Sequence, residues 1–387
     1  MAIIELKDVA HSYELDAGKE DNWTYAVEDI NLKYEDGTAA ALLGPSGCGK
    51  TTILQIISGL ITPTKGRVLF DGKDVTELNT KQRHIAQVFQ FPVVYDSMNV
   101  YGNIAFPLKN DGEDDEAVRK QVYKVAEIME IEHMLKVPAG KLNPADKQKV
   151  SLGRGIVRPN TAAVLLDEPL TVIDPKAQWG LRRKLKEIQK ELNFTMIYVT
   201  HDQHEALTFA DEVTVMQVGH VDQVGTPEEL HDEPQSTFVG FFIGSPGMNM
   251  FQCLVEPDGT VQFKGHSVKI SKDLASKLLE KDNDLTLGIR PEYITTYKEE
   301  KANTVSGTVK LVEDTGAYKI VTTSVESTRD VRRRTSSGDY KTISSSVEKL
   351  DIKSRAPETF DIKEGDTAWL ELPEEHLKFY KDGKKIS

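Results

Sequence analysis

The chain has 387 residues, enough for about two to three domains with cores of their own. With 39% hydrophobic and 28% charged residues it is composed like an ordinary globular protein, which excludes collagen-like, mucin-like and wholly disordered classes. Forty-eight Lys and Arg against 61 Asp and Glu leave a net charge of −13, which argues against a nucleic-acid partner.

The alternating IIELKDVA at the start reads as a half-buried strand, and Ala39 to Leu43 as a strand buried on both faces. A helix is expected over Lys50 to Ile57 and a strand over Val68 to Phe70. Asp115 to Met134 mixes charged and apolar residues at helical spacing. Ala162 to Leu166 and Thr195 to Thr200 read as further buried strands, joined through an amphipathic helix over Lys176 to Leu192. Strand, helix and strand of this kind build a mostly parallel sheet. Near residue 235 the character changes to short strands, such as Thr286 to Ile289, Thr308 to Val312 and Trp369 to Leu372, separated by Gly, Asp and Pro. A second, small β-barrel-like domain is expected there. Within it the Ser- and Thr-rich stretch Thr322 to Ser346, with Arg332, Arg333 and Arg334, reads as a solvated mobile loop. No stretch approaches the roughly 20 apolar residues of a membrane span. Cys48 and Cys253 are too few for a disulfide framework, so a reducing, cytoplasmic setting is expected unless another protein carries the chain to a membrane.

Gly44, Pro45, Ser46, Gly47, Cys48, Gly49, Lys50, Thr51 and Thr52 fit G-x-x-x-x-G-K-[ST] between a buried strand and a helix, which is the context a phosphate loop requires. Its glycines let backbone N–H groups and the positive helix end face the phosphates. Lys50 adds a positive charge, and the Thr51 hydroxyl suits Mg²⁺, which takes hard oxygen ligands. The apolar strand ending in Asp167 and Glu168 supplies the other half: Asp167 for the Mg²⁺ shell, Glu168 as general base or water-positioning group. The chemistry implied is hydrolysis at the γ-phosphate of a ligand whose β- and γ-phosphates bind Mg²⁺.

The order of these motifs resembles the ATPase subunit of ABC transporters. Over roughly residues 3 to 235, Tyr13 stands where that family stacks adenine on an aromatic ring. Gln90 matches the glutamine that senses Mg²⁺ and the membrane subunit, and His201 the switch histidine that contacts the γ-phosphate and orients the catalytic carboxylate. Asp174 matches the aspartate that crosses the dimer interface. The resemblance implies an α/β P-loop NTPase with a helical subdomain over about 90–160, forming a nucleotide-binding domain over 1–235, and an all-β, OB-like, TOBE-type regulatory domain over 236–387.

The family carries Leu-Ser-Gly-Gly-Gln as its signature, and this chain has Leu142, Asn143, Pro144, Ala145 and Asp146 there. Val150 and Arg158 keep the register of the following helix. Pro144 lacks an N–H, Ala145 restricts φ, and Asp146 brings negative charge toward a γ-phosphate. In the family two subunits sandwich two nucleotides, each between one chain's phosphate loop and the other's signature, so the change falls on the partner's nucleotide. A non-identical ATPase partner, or a homodimer with two altered sites, follows from the resemblance. Phe241 to Pro246 and Gly288 to Glu292 resemble the tails of sugar and glycerol-phosphate importers, while Phe89 to Pro107 and the altered signature are similar to ATPase subunits of bacterial glycerol importers. Those systems imply two transmembrane permease subunits, an indirectly engaged solute-binding protein, and a peripheral place on the cytoplasmic face of the bacterial inner membrane. Phe91, Val93, Val94 and Tyr95 are candidates for a groove that receives a membrane subunit's coupling helix. The competing readings are a soluble non-transport ATPase and a non-catalytic regulatory module.

Overall fold

In the computed structural model the described residues are 2–14, 24–281, 284–334 and 340–386, those of 327–348 by backbone alone. They form two compact units, Met1–Glu229 and Leu230–Ser387.

In the first unit, β1 (Ile4–His11), β2 (Val27–Tyr34), β4 (Lys65–Phe70) and β5 (Lys73–Asp74) make an antiparallel sheet, ordered β2-β1-β4-β5. The other sheet is ordered β10-β9-β3-β8-β7-β6. It takes β3 (Ala39–Leu43), β6 (Ile85–Val88), β7 (Ala163–Asp167), β8 (Met196–Thr200) and β9 (Glu212–Gln217) in parallel, and β10 (His220–Gly225) antiparallel at its edge. Helix α1 (Lys50–Ser58) is buried on most sides, and the reason is its place in a core shared by both sheets: Ile53 and Ile57 pack in one cluster with Ile4, Leu6 and Val68 and with Leu42, Leu165 and Ile197.

Helices α2 (Val100–Asn110), α3 (Asp115–Met129) and α4 (Pro144–Ile156) pack on one another, with Gly153 of α4 facing Val125 and Ile104 closely. The helical spacing over Asp115 to Met134 holds only to Met129, because Glu130 turns left-handed at φ 59° and closes the helix. Helix α5 (Pro175–Leu192) joins β7 to β8, and α6 (Gln203–Phe209) follows β8.

Between β9 and β10 the two-residue turn Val218–Gly219 has φ of 45° and 80°. Both positions of such a turn need positive φ, which suits Asn-Gly and strains a β-branched residue. Val218 is 79% exposed, so it gains no packing in return. Val218→Asn is expected to stabilise the first unit by about 1 kcal/mol, read as a rise of about 2–4 °C in its melting temperature.

The second unit holds two sheets around one core. One is β13-β12-β11-β14-β20-β21, from β11 (Asn249–Val255), β12 (Thr260–Phe263), β13 (His266–Lys269), β14 (Asp284–Ile289), β20 (Lys378–Lys381) and β21 (Lys384–Lys385). The other is β15-β19-β16-β17-β18, from β15 (Thr295–Tyr297), β16 (Thr304–Asp314), β17 (Tyr318–Arg334), β18 (Tyr340–Pro357) and β19 (Thr367–Glu371). Phe251, Leu287 and Ile289 of the first pack with Val305, Val325, Ile352 and Leu370 of the second. Asn249 stitches the sheets: its Nδ2 donates to Ile289 O at 3.2 Å and to Lys353 O at 2.9 Å, and its Oδ1 accepts from Lys353 N at 2.9 Å. The Thr322 to Ser346 stretch is not the loop its composition suggests. Apart from 335–339, which lie outside the described residues, it runs through β17 and β18, which pair from Tyr318↔Pro357 to Arg334↔Tyr340. Its start, Val321 to Val325, is β-branched but for Ser324 and is largely buried, which favours a strand. Arg332, Arg333 and Arg334 close β17, their side chains outside the described residues.

At the start of this unit His231 lies between two carboxylates, Nδ1 2.7 Å from Asp232 and Nε2 2.9 Å from Glu292. The hydrogen bond to Glu292 raises the His231 pKa. Burial works to raise that of Glu292, but the His231 hydrogen bond and charge prevail and lower it. The pair therefore stabilises fully only while His231 is protonated and Glu292 ionised. The His231 contribution is complete below the ordinary value of 6.5 and is lost as pH rises through the raised pKa. That of Glu292 is lost in acid, as pH falls below 4.5 through its lowered pKa. Melting of the second unit is expected to drop as pH rises above about 6.5, and His231→Gln to flatten that slope.

Candidate active site

The parallel sheet gathers the site. In such sheets ligands bind beyond the carboxyl ends of the strands, and the loops after the neighbouring strands β3, β8, β7 and β6 carry the phosphate loop, His201, Glu168 and Gln90 in that spatial order. The registers Leu43↔Thr200 and Asp167↔Val199 bring three of those strand ends level.

In the phosphate loop, Gly49 caps α1 at φ 99°, where a Cβ would come within 2.4 Å of Val27. Gly47, at φ 81°, faces open space, so its backbone is free to be approached by a ligand. Lys50 is buried, its Nζ donating to Gly44 O at 2.8 Å and Pro45 O at 2.9 Å. These bonds hold the loop in a curl around the ammonium. Ser46 is exposed on the loop, and the buried Cys48 thiol has its pKa raised by burial. Tyr13 is exposed, and its hydroxyl lies 3.2 Å from that of Thr52 at the start of α1.

Thr51 donates its hydroxyl to Asp167 Oδ1 at 3.4 Å. Burial raises the Asp167 pKa, which the Thr51 hydrogen bond opposes. A hydroxyl and a desolvated carboxylate facing one spot are a hard-oxygen pair, so the donor set fits Mg²⁺. Glu168 is pinned at both oxygens. His201 Nδ1 lies 3.1 Å from Oε1, and Gln90 Nε2 donates to Oε2 at 3.4 Å. Its backbone is left-handed, φ 44°, at the point where the chain leaves β7. Such angles cost a non-glycine residue about 1–3 kcal/mol and cluster at functional sites.

Sequence reasoning missed two supports. Thr171 donates to Glu168 O at 3.1 Å. Glu205, buried, accepts from Thr200 Oγ1 at 2.7 Å and Tyr198 at 3.1 Å, while Asp202 caps α6 through His204 N at 2.7 Å; this fixes the turn carrying His201. The capping-box spacing of Asp202 and Glu205 was the available signal.

The structure does not bring Leu142–Asp146 into this cluster. Asn143 caps α4, its Oδ1 accepting from Asp146 N at 2.8 Å, and its Nδ2 donates to the Asp146 carboxylate at 2.8 Å. Pro144 fills the first helical position, where a missing N–H costs nothing. The positive end of α4 thus faces the chain's own Asn143 and Asp146. Asp174 caps α5, accepting from Lys176 N at 2.9 Å. Among the described residues no helix is long and apolar enough to cross a membrane.

Comparison with known proteins agrees with this architecture. The ABC transporter family model matches residues 27–171, the MalK OB fold domain 244–294, and the TOBE domain 287–345. The chain is similar to the sn-glycerol-3-phosphate import ATP-binding protein UgpC of Vibrio vulnificus strain YJ016, at 37% identity over 82% of each chain. It is 40% identical to the trehalose/maltose import ATP-binding protein MalK of Thermococcus litoralis, over 76% of this chain and 83% of that protein. Among solved structures, cbiO1 from Clostridium perfringens, part of the ABC transporter complex cbiONQ, aligns with a TM-score of 0.54 at 30% identity, over 60% of this chain and 91% of that one. MJ0796, in a post-hydrolysis state bound to ADP and Pi, aligns with a TM-score of 0.52 at 27% identity, over 58% of this chain and 98% of that one. Identity of this order across four-fifths of the relatives' length, on a fold with this phosphate loop, makes the chain a member of the ABC transporter import ATP-binding protein family and an ATPase.

Proposed function

We propose that the chain, peripheral on the cytoplasmic face of a bacterial inner membrane, binds MgATP and hydrolyses it to drive import of a carbohydrate or polyol, glycerol in particular, through two transmembrane permease subunits. The observation that carries this reading is Glu168, held by His201 and Gln90 beside Lys50, Thr51 and Asp167. Gly44–Thr52 cradles the phosphates, Tyr13 stacks the base, and Lys50 moves from loop carbonyls to phosphate oxygens. Thr51, Asp167 and Gln90 hold Mg²⁺, which when bound neutralises charge developing on the phosphate oxygens. Glu168 takes the proton of a water attacking the terminal phosphorus as the bond to the ADP oxygen breaks. His201 keeps Glu168 aligned.

The nucleotide-binding part covers 1–235 and the TOBE-type domain 236–387. Asp174 meets a second ATPase subunit across the dimer interface. That subunit differs in sequence, because the closed capping box at Asn143 and Asp146 leaves this chain a poor clasp for its partner's nucleotide. Phe91, 69% exposed, with Val93, Val94 and Tyr95, receives a permease segment. A solute-binding protein acts on the far side of the permeases.

Gentle solubilisation of native membranes, followed by mass spectrometry of what co-purifies with the tagged chain, tests the assembly. Two membrane proteins with a different ATPase support it in full. Membrane proteins with this ATPase alone mean a homodimer, and the absence of membrane proteins sinks the transport reading.

A further inference from the structure

The segment on either side of Gln90 is held by side chains of α4. Gln148 Nε2 donates to Phe89 O at 3.4 Å, Lys147 pairs with Asp96 at 3.0 Å, and Arg154 Nη1 donates to Val93 O. The Arg154 guanidinium also lies 4.7 Å from the centre of the Tyr95 ring, whose other neighbour is Phe106, 4.8 Å away. Positions 147 and 154, seven residues apart, stand one above the other two turns along the helix, and 148 lies about 100° round the helix from 147. On the α2 side Asn103, buried, accepts from Tyr95 N at 2.7 Å and donates to Tyr95 O at 3.0 Å. Tyr95 is therefore fixed through its backbone by α2 and through its ring by Arg154. Between the tie at Phe89 and those at Val93 to Asp96, Phe91 is exposed and Gln90 reaches Glu168.

We infer that Arg154 is a positioning residue that latches the 89–98 segment to α4, so that a push on exposed Phe91 and Val93 moves the Gln90 amide relative to Glu168 instead of dissipating in a loose loop. The inference rests on the proposed transport function. In this chain α4 keeps that task although its N-terminal end is closed to an anion. A lysine at 154 retains the charge and reaches the ring, but it cannot donate to Val93 O and stack flat on Tyr95 at once.

The test uses the assembled transporter in proteoliposomes with wild type, Arg154→Lys and Arg154→Ala, reading solute moved per ATP hydrolysed and hydrogen exchange of the amides in 91–98. Both variants are expected to exchange those amides about tenfold faster. They should also lower solute moved per ATP at least about fivefold, while nucleotide affinity stays within about twofold. Arg154→Lys supplies the reading if Arg154→Ala fails to fold. Unchanged solute per ATP in a folded Arg154→Lys complex overturns the latch, as does exchange confined to its wild-type rate. A wild-type complex whose ATP hydrolysis moves no solute overturns the transport reading itself, so the two failures are separable.

Discussion

Glu168→Gln is expected to lower ATP turnover by about 10²–10⁴-fold and abolish solute uptake, while ATP still binds with wild-type affinity. The amide keeps the size of the side chain but cannot accept a proton as a carboxylate does. It can still bond His201 and Gln90, so the surrounding geometry survives. The readouts are steady-state phosphate release and nucleotide binding on one preparation. Full turnover in the variant would remove Glu168 from the chemistry, whereas solute uptake unchanged by a loss of turnover would favour a non-catalytic regulatory module.

The second large effect concerns the α4 end. With Glu168→Gln as background to prevent hydrolysis, the chain alone is expected to remain monomeric in MgATP, since each interface would set Asp146 and a closed cap against a partner's phosphates. Replacing Asn143 by Ser, Pro144 and Ala145 by Gly, and Asp146 by Gln removes a like charge and frees backbone N–H groups. Association in MgATP should then tighten by about 10–100-fold, measured by sedimentation. If the unaltered signature dimerises equally well, the case for an unlike ATPase partner falls.

Much of this could be read from residue order, for definite reasons. Strands buried on both faces announce themselves as uninterrupted apolar runs, and Ala39–Leu43 and Ala163–Leu166 are such runs. The phosphate loop is legible because backbone curvature, a lysine and a hydroxyl are needed at fixed offsets. The contacts of Arg154 with Val93 and Tyr95 escaped because they span about sixty residues, whereas Glu205, bonded to the nearby Tyr198 and Thr200, was signalled only by its spacing from Asp202. Thr322 to Ser346 misled because its polar composition conceals the strands β17 and β18. Asp146 was read by its charge alone, whereas the structure occupies that charge locally with Asn143.

The left-handed backbone at Glu168 has a consequence for anyone wishing to make this protein hardier. A side chain kept at an unfavourable angle lowers the stability of the fold, so position 168 is where glycine or asparagine would relieve strain. Screens that reward only a higher melting temperature will therefore be drawn to exchanges that remove the proposed catalytic carboxylate. A library built on this scaffold needs activity as a co-selected trait at that codon, and Val218, exposed and strained in the same sense, can be varied as long as its neighbour Gly219 keeps its bond to Cys48 O of the phosphate loop.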